Sequence, residues 1–182
     1  MNKTVKDPSK TYQRFIEFEE RAAAIYLQFA SHFSEDRQLS AFWLDMGMQE
    51  KQHAGLLQFC LADRLFASGL PSRRETEKIA GSFKRLEKRA ADAELGWEEA
   101  FTIAMELEAS EINGIYRYLT TPLHNSAYLL RRKIVTSMDH ICEVLEAAAK
   151  FGVKNGTMKE LKRLKDSCRH DGKGSNRLRL AS

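Results

Sequence analysis

Glu50 and His53 stand three residues apart, a spacing that turns a carboxylate oxygen and an imidazole nitrogen toward one side of a helix. Mixed oxygen and nitrogen donors of this kind suit a divalent transition metal. One Glu-x-x-His pair arises on helices by chance and carries little weight alone. Its weight comes from company. Glu19, Glu108, Glu111 and His140 also interrupt sequences of apolar residues that recur every three or four positions, the pattern of a helix face turned to a core.

Four such stripes can be traced. The first runs Tyr12, Phe15, Glu19, Ala22, Tyr26, Phe29, Phe33 and the second Leu39, Trp43, Met46, Glu50, His53, Leu57, Cys60. The third runs Trp97, Phe101, Ala104, Glu108, Glu111, Ile115, Tyr118 and the fourth Leu130, Lys133, Ser137, His140, Val144, Ala147, Phe151. Every stripe breaks near its middle, and the breaks match in height. Glu19 lies 15 residues before Ser34 and Glu50 16 after it, so at about 1.5 Å per residue both stand roughly 23 Å from the intervening turn. Around Thr121 the match of Glu108 and Glu111 with His140 is looser. Four carboxylates buried together repel one another and each loses its hydration, so the cluster needs positive charge. Two divalent ions would balance four Glu.

The elements that must position these groups follow from turn and cap chemistry. Pro8 and Ser9 open a helix predicted to reach about Phe33; Ser34 to Asp36 turn the chain into a second, predicted to reach about Phe66. The connection after Pro71 is rich in Arg, Lys and Glu, and its stretch 75–93 is expected to be partly helical. Gly96 and Trp97 start a third segment to about Leu119, and Thr121 with Pro122 caps a fourth that ends near Phe151 and Gly152. Thr157 and Glu160 have capping-box spacing for a short fifth helix. The plan is two antiparallel hairpins joined by a long crossover, an all-α four-helix bundle. An arm over 1–8, a bundle over 9–152, a short basic helix over 153–169 and a disordered basic tail over 170–182 are expected.

Composition agrees with helices. The chain has 182 residues, 43% hydrophobic and 30% charged, with 10 Gly and 3 Pro, which excludes collagen-like and low-complexity classes. No apolar run approaches the roughly 18–20 residues that cross a bilayer, and the first 15 residues have no signal-peptide character; a cytoplasmic protein without a membrane span is expected. Cys60, Cys142 and Cys168 form no CxxC pair, so reduced thiols are expected rather than a disulfide framework or zinc ribbon. The net charge of +4 is carried by the C-terminal segment. Lys159, Lys162, Arg163, Lys165, Arg177 and Arg179 there would be the only basis for binding nucleic acid, a weak one because such runs are commonly solvated faces.

In their order, these motifs resemble the rubrerythrins of the ferritin-like superfamily over about residues 10–151. Glu19-x-x-Ala22 with Tyr26 beyond it, Glu50-x-x-His53, and Glu108-x-x-Glu111 followed by Tyr116 match the family's first three helices. On the fourth, His140 is present but Ser137 stands where the family has a Glu. The resemblance implies that Glu19, Glu50, His53, Glu108, Glu111 and His140 are iron ligands, with Glu50 bridging two ions and Ser137 weakening the second position. Manganese is the alternative metal. It implies an oxidoreductase acting on peroxide or dioxygen, or iron oxidation. The family often adds a rubredoxin domain with four cysteine ligands, which this chain lacks, so the electron donor is expected to be a separate protein. A homodimer is expected. The competing reading is a degenerate bundle with little metal that serves as a scaffold or interaction module, and Ser137 favours it.

Overall fold

The computed structural model describes residues 7–67, 70–111 and 140–172. Among these the chain is all-helical, with no strands. The helices are α1 (Pro8–His32), α2 (Arg37–Ala62), α3 (Arg73–Ala90), α4 (Trp97–Glu111), α5 (His140–Lys150) and α6 (Asn155–Gly172). None is long and apolar enough to cross a membrane.

Local chemistry accounts for the boundaries. Asp7 caps α1 by accepting from the Ser9 amide, with Pro8 in the first turn, and Asp36 caps α2 by accepting from the amides of Gln38 and Leu39. The second helix ends at Ala62, four residues before the predicted limit. Arg64 takes a left-handed φ of 54°, and the Leu65 amide turns back to the Cys60 carbonyl at 2.8 Å. The segment beyond is then pinned by Tyr12, whose hydroxyl donates to the Leu65 carbonyl at 3.2 Å and accepts from the Ala67 amide at 3.0 Å. Gly152, at φ +75°, closes α5 where a side chain would be strained.

Helices α1 and α2 form an antiparallel pair in contact along their length. Gly47 sets how close they come: a Cβ there would lie 3.0 Å from Leu27 Cγ and 3.3 Å from the Ala23 carbonyl. The crossover contributes a full helix rather than a partly helical connection. Ser72 and Glu75 form a reciprocal capping box at its start. Phe83 stacks on Phe18 of α1 at 5.1 Å between ring centroids, and Arg21 makes two hydrogen bonds to Glu87, at 2.6 and 2.8 Å. That pairing explains why α1 is buried at Phe18 and Ile25 as well as along its main stripe.

α4 packs against α3, α5 and α6. The exposed His32 holds the Leu95 carbonyl at 2.9 Å through Nε2, fixing the approach to α4. The last helix departs from expectation twice. It begins at Asn155, with the Met158 amide already bonded to the Lys154 carbonyl at 3.0 Å, so Thr157 lies inside the first turn instead of capping it. It is also helical through Gly172, where a disordered tail was expected from His170; its buried Leu161 supplies an apolar anchor. The Thr121–Pro122 cap, Tyr116, Tyr118 and Ser137 lie outside the described residues.

Candidate metal centre

Four polar side chains are buried among the described residues, Glu19, Glu50, Glu108 and His140, and they converge on one point. The half-buried His53 completes the group. Glu19 comes from the middle of α1, Glu50 and His53 from successive turns of α2, Glu108 from α4 and His140 from α5. The apolar stripes that frame them are the reason they meet: Tyr12, Phe15, Ala22, Tyr26 and Phe29 on α1 and Leu39, Trp43, Met46, Leu57 and Cys60 on α2 are all buried. Packing those residues inward carries the embedded carboxylates inward as well.

Glu50 is the centre of the cluster. Its Oε2 lies 2.9 Å from His53 Nδ1 and its Oε1 3.1 Å from His140 Nδ1. Each imidazole faces a second carboxylate: His53 Nδ1 is 3.6 Å from Glu19 Oε2, and His140 Nδ1 is 3.6 Å from Glu108 Oε2. Two similar halves, Glu19 with His53 and Glu108 with His140, therefore share one carboxylate. The two imidazole rings lie nearly parallel with centroids 5.0 Å apart. Glu111 lies on α4 one turn beyond Glu108; its side chain lies outside the described residues.

Electrostatics follow from this arrangement. Burial would raise the Glu50 carboxyl, but hydrogen bonds to His140 and His53 outweigh it and hold the group at about 2. Burial would lower His53, yet Glu19 and Glu50 push it up to about 9. His140 is likewise raised to about 11, by Glu108 and Glu50 against the effect of burial. Burial raises Glu19 to about 8 despite its contact with His53, and burial followed by the charge of Glu50 raises Glu108. With no metal, one carboxylate sits between two imidazolium rings and the outer carboxyls are driven toward their neutral forms.

Two groups outside the expected ligand set hold the cluster in place. Gln49 accepts from His140 Nε2 through Oε1 at 2.6 Å, while its Nε2 donates to Glu143 Oε2 at 3.2 Å. A carboxylate can only accept here, so the direction of the Gln49 amide is fixed, and His140 keeps its Nε2 proton and turns Nδ1 inward. Tyr26 donates its hydroxyl to Glu108 Oε1 at 2.6 Å. Stripe analysis places Tyr26 in the core, which is correct for its ring, stacked on Trp43 at 5.8 Å, but misses the hydroxyl. Gln49 was missed altogether; the available signal was an amide one residue before Glu50, on the edge of the polar break.

The donors suit a metal ion. Glu50, His53 and His140 each offer one ligand atom, all within 4.8 Å of one another, so the cluster could hold a cation through oxygen and imidazole nitrogen. Compared with known families, curated proteins and solved structures, the chain matches no family model, no curated protein and no solved structure.

Proposed function

We propose that the chain is a ferritin-like, rubrerythrin-type metal protein whose cluster binds iron at two positions, the one beside His140 the weaker, with manganese as the alternative, and reacts with peroxide or dioxygen or oxidises iron. The observation that carries the reading is the sharing of Glu50 between two halves, each with its own imidazole and outer carboxylate. Glu19 and His53 would hold one ion, Glu108 and His140 the other, and Glu50 both; Glu111 joins the set by the resemblance. When bound, iron would supply the electrons that reduce the oxidant.

The chain's own groups prepare that site. Gln49 holds the Nε2 proton of His140, leaving Nδ1 as the nitrogen turned to the cluster. Tyr26 orients Glu108 through its hydroxyl. Protons held on His53 and His140 must leave as a cation enters, so metal binding and proton release are linked.

A second reading, a bundle with little metal acting as a scaffold or interaction module, is favoured by the two imidazolium–Glu50 pairs, which compensate charge with no ion. Metal content separates the two. Protein from iron-supplemented cells should carry iron or manganese that survives chelator challenge, and the double variant Glu50→Ala, His53→Ala should lose most of it. Full metal content in the folded double variant would show that the metal sits elsewhere; a native protein that takes up neither metal would favour the scaffold.

A further inference from the structure

The crossover helix α3 carries seven cations and three carboxylates, and folding separates them. All three carboxylates are engaged: Glu75 in the capping box with Ser72, Glu77 with Arg73 at 2.7 Å, and Glu87 with Arg21 at 2.6 and 2.8 Å. Arg89 turns to Glu99 and Glu106 of α4, at 2.8 and 2.7 Å. Arg74, Lys78, Lys84 and Lys88 make no ion pair among the described residues, and Arg85 stands 3.8 Å from Glu106. All five of these side chains are exposed. Positions 74, 78, 81, 85 and 88 recur in steps of four and three, so they form one line opposite the buried Ile79, Phe83, Leu86 and Ala90, with Lys84 beside it. The line is about 21 Å long at ~1.5 Å per residue. At its middle stands Gly81, where nothing lies within 4 Å of the position of a Cβ.

We propose that this face of α3 docks the phosphate backbone of duplex nucleic acid, without regard to its sequence. A row of unpaired cations calls for an extended polyanion, and a duplex carries one negative charge per ~1.7 Å of its axis, enough to meet the row along its whole length. Other partners fit the chemistry less well. A protein interface is built round an apolar or aromatic core, and this face has none: the exposed large hydrophobic side chains among the described residues, Leu44, Met48 and Phe59, all belong to α2. The same lack removes the apolar wedge by which an interfacial helix enters a membrane. A single strand is gripped by stacking on aromatic rings, whereas the aromatic residue of α3, Phe83, is buried. Gly81 leaves the centre of the line without a side chain, so phosphates can come against the helix between the flanking cations. The four buried residues and the capping box hold α3 on the bundle, which makes the row a fixed rod. It is distinct from the C-terminal helix, where Glu160 and Asp166 are interspersed among Lys159, Lys162 and Arg163. None of its side chains belongs to the metal cluster, so docking does not depend on a bound ion.

The test is binding of the full chain to a fluorescent duplex of about 20 base pairs, followed by anisotropy over ~50–200 mM salt in the presence of EDTA. Five phosphate contacts give log K against log salt a slope of about −4.5, a loss of roughly 500-fold over that interval. Lys78→Gln, Lys84→Gln and Lys88→Gln together should bring the slope to about −2 while leaving thermal melting unchanged. Gly81→Glu, which fits without a clash, should weaken binding about 10-fold at the lowest salt. Lys159→Gln with Lys162→Gln and Arg163→Gln should leave the slope as it is, and so should a duplex of unrelated sequence. A chain that binds no duplex at ~50 mM salt would overturn the proposal. So would binding that follows the C-terminal triple variant rather than the α3 one, or tighter binding to phosphatidylserine vesicles or to polyglutamate than to duplex at matched charge.

Discussion

Removing metal should make the protein lose stability as pH rises. In the metal-free cluster His140 is raised to about 11, His53 to about 9 and Glu19 to about 8. A group whose folded value is raised contributes stability that is complete below its unfolded value and disappears as pH climbs through the folded one. For the histidines that decline begins near 6.5, and for Glu19 near 4.5. Glu50, held at about 2, behaves oppositely: its contribution is present above 4.5 and is lost as pH falls toward 2. Metal-free stability should therefore peak near pH 4.5 and fall toward pH 9, more steeply once the histidines join above about 6.5. Each excess proton held by the folded state is worth about 1.4 kcal/mol per pH unit. Between about pH 6.5 and 9 His53 alone holds one such proton, which gives about 1.4 kcal/mol, or about 3–6 °C in melting temperature, per unit for a chain of this size. Bound metal displaces those protons, and the slope should then reverse, since deprotonated ligands bind more tightly as pH rises. Thermal melts followed by circular dichroism from neutral to mildly alkaline pH, with EDTA and with added Mn(II), measure both slopes. A metal-free melting temperature that rises across this interval, or a His53→Gln variant with an unchanged slope, would refute the reasoning.

Other substitutions probe separate parts of the account. Gln49→Leu removes the acceptor for His140 Nε2 and should weaken metal retention about 10- to 100-fold, read by competition with a chromogenic chelator. Phe83→Ala, at the stacked contact of α3 on α1, should cost about 3–5 kcal/mol in urea denaturation; a loss below ~1 kcal/mol would mean that α3 is not a structural part of the core. Ser137→Glu restores the carboxylate that the rubrerythrin resemblance implies, and should raise bound metal toward two ions per chain as counted by elemental analysis.

The parts of this molecule that follow a period are readable from the chain alone, and the parts that depend on a partner element are not. Glu19 and Glu50 betray their proximity because both sit on apolar stripes at equal height from one turn, and a hairpin leaves little freedom. Glu108 and His140 match less well around Thr121, yet stand 3.6 Å apart; the offset of two helices is set by side-chain packing, which no single stripe records. The crossover helix is harder to read because its mean composition is strongly polar. Its four buried residues, Ile79, Phe83, Leu86 and Ala90, are spaced for a face, but only the aromatic and Arg21 contacts with α1 give that face something to cover. The Ser72–Glu75 capping box that sets its start was missed, although its spacing was an available signal. Gln49 shows the opposite limit: a neutral amide beside a polar break carries no signal until the imidazole it bonds is in place.

Anomalous diffraction at the iron edge, on crystals of protein produced in iron-supplemented cells, tests the central claim most directly. The account expects density between Glu50 and the two imidazole Nδ1 atoms, with Glu19 and Glu108 as flanking ligands, and weaker occupancy on the His140 side. Iron bound only away from these residues, or a cluster that stays free of iron and manganese while His53 and His140 remain paired with Glu50, would contradict it.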